Sequence, residues 1–179
     1  MPMILPADPI HRARARMIEE AVDTQLEAIN WGLMELRVFK RGDQATRAAL
    51  EARALVQIGQ FHAFLTRTLG DAHYFDGDRF GRPDMAVISH LLGGARPAEN
   101  TKLGAWVARC LERHSVALTA QEAQASLTGM AQVGAAVKAG LFKRQYRDHR
   151  LEWMMRSGGA QIVLDGLTDN TIRFSTEIA

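Results

Sequence analysis

The chain is poor in cysteine, because its 179 residues include only Cys110. A lone thiol cannot form an internal disulfide, which excludes a disulfide-stapled secreted domain and agrees with a reducing compartment. No apolar run approaches the ~20 residues that a membrane-spanning helix needs. The opening MPMILPADPIHRARAR lacks the positive segment, long apolar stretch and small-residue cleavage site of a secretory signal. The sequence therefore predicts a cytoplasmic protein with no membrane association.

Charge of one sign is also scarce, since 22 Lys and Arg face 20 Asp and Glu for a net charge of +2. Such a balance gives a weak electric field, so a nucleic-acid partner is not expected. One basic stretch, KRQYRDHR at 143–150, could suit phosphate or a single-stranded base. Asp148 and Glu152 dilute it, and a solvated charged face is the favoured interpretation.

Metal-ligand and nucleophile patterns are missing as well. The six histidines show neither the H-E-x-x-H motif nor another paired spacing, so no metal site is expected. Cys110 lies between Val107 and Leu111 with no base beside it in sequence, which favours a buried, inert thiol. What the chain has instead is an ordinary globular composition, 47% hydrophobic and 23% charged, which predicts one sizeable core.

Helical periodicity dominates the first 140 residues. Asp8 followed by Pro9 predicts a helix start, because the Asp carboxylate can accept first-turn amides and Pro lacks the amide that would stay unbonded. Apolar residues at steps of three and four predict one helix over about 9–38. The same spacing predicts further helices at 44–69, 82–92, 101–113 and about 119–139.

These helices predict an all-α bundle over residues 9–140, preceded by a linker at 1–8. Residues 141–179 are harder to interpret. They are predicted to form an irregular C-terminal extension packed on the bundle, with a hairpin around Asp165 and Gly166 as the alternative. An isolated hairpin is marginal in water, which favours the irregular form.

The segment GDRFGRPDMAVISHL at 77–91 predicts a helix entrance with a specific cap. Gly81 takes the N-cap position and Pro83 lies inside the first turn. Asp84, at the third helical position, is expected to accept a hydrogen bond from the Gly81 amide, which is half of a capping box.

This capping segment resembles the GD-x-F-S-x-A-D segment in the C-terminal helical domain of glutathione S-transferases. LPADPIHRARAR at 5–16 resembles the linker and first-helix start of that domain, and LGAWVARCLERHSVALT at 103–119 resembles its L-x-x-W-x-x-R-x-x-x-R-P-S-V segment. The three segments follow the family's order and cover roughly residues 4–120. Two positions depart from the pattern: Gly81 replaces the usual Ser or Thr, and His114 replaces the usual Pro, which leaves that helix boundary less defined.

The resemblance implies different roles for two domains. In glutathione S-transferases, an N-terminal thioredoxin-like domain binds glutathione and carries the Ser, Tyr or Cys that stabilises its thiolate, while the helical domain walls the electrophile site. Nothing in this sequence matches those catalytic positions. The expectation is a chain with no catalytic residue and no cofactor of its own, for which glutathione is a cosubstrate only when the missing domain is present. A truncated or misassigned start, a separately expressed domain and a natural helical-domain protein all remain open explanations.

The resemblance also suggests which residues line the electrophile site. They lie on the first helix and in the C-terminal segment, and are Asn30, Trp31, Met34, Glu35 and Trp153. The alternative for the aromatic and Met positions is an ordinary core or dimer contact. Expected partners are a hydrophobic electrophile and a second copy in a homodimer. The rival function is a non-catalytic protein–protein interaction module, because the fold alone does not fix the function.

Overall fold

A computed structural model describes residues 6–174, apart from the side chains of residues 130 and 131. The predicted all-α class is confirmed. The helices are α1 (Pro9–Ala21), α2 (Glu27–Arg37), α3 (Gln44–Leu69), α4 (Arg82–Gly93), α5 (Lys102–Leu111), α6 (His114–Ser126), α7 (Met130–Lys138), α8 (Asp148–Arg156) and α9 (Ala160–Thr168). The described chain divides into two compact units, residues 6–27 with 58–123 and residues 28–57 with 124–174.

The predicted helix over 9–38 contains a local change of winding. Asp8 caps α1, and its Oδ1 accepts hydrogen bonds from the amides of Ile10 and His11 at 2.9 Å. A π-helical turn, Val22–Leu26, then leads into α2. Because a π-helical turn closes i→i+5 bonds, it changes the phase of the apolar stripe between the two helices. Ile18, before this turn, and Val22 and Leu26, at its two ends, are all fully buried.

The first unit is organised around the Asp84 carboxylate. This side chain is fully buried, and its Oδ2 accepts a hydrogen bond from the Gly81 amide at 3.0 Å. Its Oδ1 accepts from the Phe75 amide at 2.7 Å and from the Trp106 indole Nε1 at 3.2 Å. Burial raises the pKa of Asp84, and these donors oppose that rise. The residue therefore caps α4 and also fixes the preceding loop and a side chain of α5.

Helix boundaries differ from prediction between residues 113 and 139. Helix α6 begins at His114, about five residues earlier than predicted, and the Ala117 amide bonds the Arg113 carbonyl at 3.0 Å. The predicted helix at 119–139 is divided by a 3₁₀ turn, Leu127–Gly129. Helix α7 then ends normally, with Gly140 at a φ of 73° and the Leu141 amide bonded to the Ala136 carbonyl.

The C-terminal extension is more regular than predicted, since it contains α8 and α9. Two short strands flank them, β1 (Arg144–Gln145) and β2 (Ile172–Arg173), which pair in parallel with Arg144 opposite Ile172. Asp165 and Gly166 lie inside α9, so the alternative of a hairpin there is wrong. Gly166 explains the difference, because a Cβ at this position would lie 2.6 Å from Ile172 Cγ2, and only glycine lets β2 pack so closely. The predicted domain boundaries stay predictions, and residues 1–5 and 175–179 of the linker and extension lie outside the described residues.

Candidate functional site

The most highly charged buried feature of the second unit is centred on Glu35, near the end of α2. Its side chain is fully buried. Oε1 accepts a hydrogen bond from Arg144 Nε at 2.6 Å, and Oε2 accepts one from the Tyr146 hydroxyl at 3.1 Å. Arg41 Nε forms an ion pair with Oε2 at 3.1 Å. One carboxylate thus serves two guanidinium groups and a phenol, a set we call the Glu35 cluster.

Backbone pairing brings the partners of Glu35 together. The Arg144 amide donates to the Thr171 carbonyl at 2.9 Å, and the Tyr146 amide donates to the Arg173 carbonyl at 2.9 Å. Arg41 completes the frame by donating to Thr171 through Nη1–Oγ1 at 2.9 Å and Nη2–O at 3.2 Å. The end of α2, strand β1 and the start of β2 are therefore held by one hydrogen-bonded network.

Aromatic rings surround the arginines of the cluster. Trp31 lies one turn before Glu35, is 5% exposed, and meets the Tyr146 ring edge-on at 4.6 Å between ring centres. Arg144 Cζ lies 4.1 Å from the centre of the Phe39 ring and 5.6 Å from that of Trp31. Arg150 Cζ lies 5.4 Å from the Trp31 ring centre. These distances are within the range of cation–π attraction, which strengthens when the cation is withdrawn from water.

The electrostatics of the cluster keep Tyr146 neutral. Burial, and then the negative charge of Glu35, raise the pKa of the Tyr146 hydroxyl far above its ordinary value. The phenol therefore serves as a hydrogen-bond donor at neutral pH and not as a base. Two guanidinium groups, of Arg41 and Arg144, face the single carboxylate of Glu35, so the cationic groups of the cluster outnumber the anionic one.

Two buried donors of the cluster lack an acceptor. Within residues 6–174, neither the Trp31 indole Nε1 nor the Arg144 Nη2 has a hydrogen-bond partner. A third donor, Arg41 Nε, also lacks an aligned hydrogen bond, but it lies 3.1 Å from Glu35 Oε2 as an ion pair. Buried polar groups are normally paired, because leaving one unsatisfied costs about 1–3 kcal/mol. The site thus combines excess positive charge with unused N–H groups.

The structure places the predicted electrophile-site residues in different settings. It brings Trp31 and Glu35 into the same cluster, while Asn30 and Met34 are half-buried on the same helix. Trp153 lies apart from the cluster's contacts: its Nε1 donates to Gln57 Oε1 at 2.7 Å, and its ring packs on Gly32. Whether these residues line an electrophile site stays a prediction.

Sequence reasoning missed the partners of Glu35. The solvated-face interpretation of 143–150 is wrong for Tyr146, which is 1% exposed, and for the Arg144 side chain, which is 13% exposed. Alternation of Arg144 and Tyr146 around Gln145 is the period of a strand and was the one available signal. Arg41 and Thr171 gave no such signal.

A shallow groove of about 400 Å³ lies in the first unit and is lined by Glu19, Asp23, Arg82, Met85 and Ala86. Arg82 pairs with Glu19 at 2.8 Å, and His90 pairs with Asp23 at 2.9 Å. Since its charged groups are committed to one another, the groove offers less chemistry than the Glu35 cluster. Within the described residues, no helix has the length and apolarity to cross a membrane.

Comparison with known proteins identifies the family. No protein-family model matches the chain. The probable glutathione S-transferase parC of Nicotiana tabacum is 32% identical over 125 residues, which cover 65% of this chain and 52% of the relative. Glutathione S-transferase U24 of Arabidopsis thaliana is 31% identical over 134 residues, 70% of this chain and 56% of the relative. Glutathione S-transferase U19 of Arabidopsis thaliana is 32% identical over 123 residues, 64% and 52% of the two chains.

The chain spans about half the length of the curated relatives it matches. The helical architecture and the capping segment at Gly81–Asp84 agree with the resemblance inferred from the sequence. Taken with these matches, they show that the chain belongs to the glutathione S-transferase family.

Proposed function

We propose that these residues are the helical domain of a glutathione S-transferase, which walls the binding site of a hydrophobic electrophile. The observation that carries the proposal is the match of 125 residues, at 32% identity, to a probable glutathione S-transferase. The residues proposed to line this site are Trp31 and Trp153, with Asn30, Met34 and Glu35 on α2.

The chemistry is divided between two partners. Glutathione is the cosubstrate, and its thiolate sulfur attacks an electrophilic carbon, so that a C–S bond forms as the bond to the leaving group breaks. The group that lowers the thiol pKa comes from a thioredoxin-like domain, and this chain binds no cofactor by itself. Its own contribution is to hold the electrophile and exclude water, in the cytoplasm.

Exposed apolar side chains support a role in assembly. Ile10 is 78% exposed and Met17 is 55% exposed, and a spacing of seven residues puts them on the same face of α1. On α3, Leu55 is 54% exposed and Val56 is 63% exposed. Apolar faces of this kind are typical of interaction sites. We assign the α3 face to a homodimer contact and the α1 face to the thioredoxin-like domain.

The direct test measures thioether formation from glutathione and an activated aryl chloride. The chain is assayed alone and fused behind the N-terminal half of the tobacco relative, with correct folding checked by circular dichroism. The chain alone is expected to add nothing to the uncatalysed rate, whereas the fusion accelerates it. A folded fusion with no rate and no electrophile binding contradicts the proposal and favours the protein–protein interaction module. Met34→Glu in the fusion is expected to raise the KM for the aryl chloride, with the exposed Leu127→Glu as its control.

A further inference from the structure

The two unused donors of the Glu35 cluster point to a ligand. Trp31 is 95% buried, since only 5% of it is exposed, and its indole N–H has no acceptor within residues 6–174. The Arg144 Nη2 is also buried and also has no acceptor within these residues. The guanidinium carbon of Arg144 lies 5.6 Å from the Trp31 ring centre. Two separate side chains thus present N–H groups that no acceptor of the described residues satisfies.

Charge narrows the chemistry of that acceptor. Glu35 is the only carboxylate shown in contact with Arg41 and Arg144 among the described residues, so the cluster keeps one positive charge in excess. A guanidinium bonds carboxylates more strongly than neutral acceptors, because a charge-assisted hydrogen bond is about twice as strong as a neutral one. A monoanion is the acceptor that satisfies both the charge and the donors.

The aromatic surroundings of the two donors indicate what the rest of the ligand must be. The donors lie among the rings of Trp31, Phe39 and Tyr146, so the body of the ligand meets aromatic surface. Aromatic rings favour other rings in edge-on or offset contact. We propose that the Glu35 cluster is a binding site for a small aromatic carboxylate, whose carboxylate oxygens accept hydrogen bonds from Arg144 Nη2 and Trp31 Nε1. That this carboxylate is part of the electrophile rests on the proposed function; the anion site itself does not.

Three indoles make the test internally controlled. Trp106 already donates to Asp84, and Trp153 already donates to Gln57, so only the Trp31 indole N–H is free to gain an acceptor. The ¹⁵N-labelled chain is titrated with benzoate and, separately, with neutral benzyl alcohol at constant pH and ionic strength. Benzoate is expected to shift the Trp31 indole resonance in a saturable way, leaving the Trp106 resonance unmoved, and benzyl alcohol is expected to shift neither.

Single substitutions distinguish the contribution of the N–H donors to benzoate binding from the contribution of aromatic packing. Trp31→Phe keeps an aromatic ring but removes the N–H, and calorimetry is expected to show about tenfold weaker benzoate binding, as the loss of one hydrogen bond to a charged group predicts. Trp106→Phe, the matched control, removes an indole N–H that already donates to Asp84 in the first unit, and it leaves the affinity unchanged. Arg144→Lys keeps the charge and removes Nη2, and is expected to weaken binding too; if it does not fold, Trp31→Phe still decides.

Three results overturn the inference. A Trp31 resonance that benzoate does not move means that the donors bond ordered water only. Equal shifts from benzoate and benzyl alcohol mean an apolar site without anion recognition, and an unchanged affinity in Trp31→Phe means that the anion binds elsewhere. Benzoate binding without conjugation in the fusion assay refutes the proposed function alone, whereas conjugation of a neutral aryl chloride without benzoate binding refutes this site alone.

Discussion

At the scale of single residues, Glu35 is the side chain whose replacement has the largest expected cost. Glu35→Gln removes the negative charge shared by Arg41 and Arg144 but keeps the volume. Breaking a buried ion pair by removing one partner costs about 3–5 kcal/mol, because the other charge stays buried without compensation. We expect a loss of this size in the free energy of unfolding, measured by urea titration.

The matched control is Glu51→Gln. Glu51 pairs with Arg37 at 2.6 Å, but both side chains are more than a third exposed. Exposed ion pairs contribute about 0–1 kcal/mol to stability, so the free energy of unfolding of this variant is expected to be close to that of the parent. Equal losses in the two variants would mean that burial of Glu35 is not the source of the effect.

Cys110 is expected to resist thiol reagents in the folded protein. It is fully buried, and desolvation raises the pKa of its thiol to about 12. At pH 8, a pKa of about 12 leaves only ~1 thiolate in 10⁴, against ~1 in 10 for the ordinary value of 9.0. Iodoacetamide should therefore modify Cys110 only after urea is added, and rapid native labelling would contradict its burial.

The same shift has a consequence for stability at alkaline pH. Since the folded pKa lies above the unfolded one, the unfolded chain loses this proton first, and the free energy of unfolding falls as pH rises from about 9 towards 12. The raised pKa of Tyr146 acts in the same direction above its ordinary value of 10.0. Cys110→Ala is expected to flatten the first part of this decline in thermal unfolding measured as a function of pH.

The sequence was sufficient to predict Trp31 and Glu35 as candidate site residues, but not to predict the residues that they contact. Both residues were predicted because they lie on a mixed face of the first helix, which the family resemblance places beside the electrophile site. Arg144 and Tyr146 are 109 and 111 residues away from Glu35 along the chain. Contacts over such separations leave no trace in local periodicity, and the role of the two residues became visible only through the pairing of β1 with β2.

At the scale of elements, glycine at position 32 is required for α2 to pack. A Cβ there would lie 2.6 Å from Cε3 of the Trp153 ring. Gly32→Ala therefore displaces the ring or the helix, and such overpacking costs about 1–3 kcal/mol. Thermal unfolding should show a lower Tm than the parent.

Gly59 is the control for that substitution, since it lies within α3 and a Cβ there would meet nothing within 4 Å. Gly59→Ala is expected to stabilise the protein by about 0.5–1 kcal/mol, because alanine has a higher helix propensity. A Gly32→Ala variant as stable as Gly59→Ala would show that Trp153 does not pack on α2.

Elements with strong local signals were predictable, and those fixed by distant contacts were not. Helix α3 matches its predicted range of 44–69, and α4 begins at the predicted cap, where Gly81 and Asp84 are three residues apart. The π-helical turn at Val22–Leu26 had no sequence signal, because its apolar spacing continued the helical pattern. Helices α8 and α9 are short and meet around Gly158 and Gly159, residues that read as a loop until tertiary packing decides otherwise.

At the scale of the whole molecule, the proposed homodimer can be tested by mass. Light scattering is expected to give twice the 19.8 kDa of one chain. Val56→Glu, on the exposed α3 face, should shift the protein towards the monomer, because an apolar contact does not tolerate an unpaired charge.

Leu127 is half exposed and belongs to the 3₁₀ turn, not to the α3 face, so Leu127→Glu should leave that mass unchanged. A monomeric parent would refute the dimer. A Val56→Glu variant that is still a dimer would show that the dimer contact lies on a face other than that of α3.

The parallel pairing of β1 with β2 also sets the timing of folding during synthesis. Thr171 supplies acceptors to both Arg41 and the Arg144 amide, so the frame that holds these partners against the carboxylate in α2 is complete only after the ribosome has released Thr171. The second unit must therefore wait for the segment that contains β2 to emerge. A premature stop codon before Thr171 would leave nascent molecules with two arginines drawn to Glu35 but no strand to hold them there.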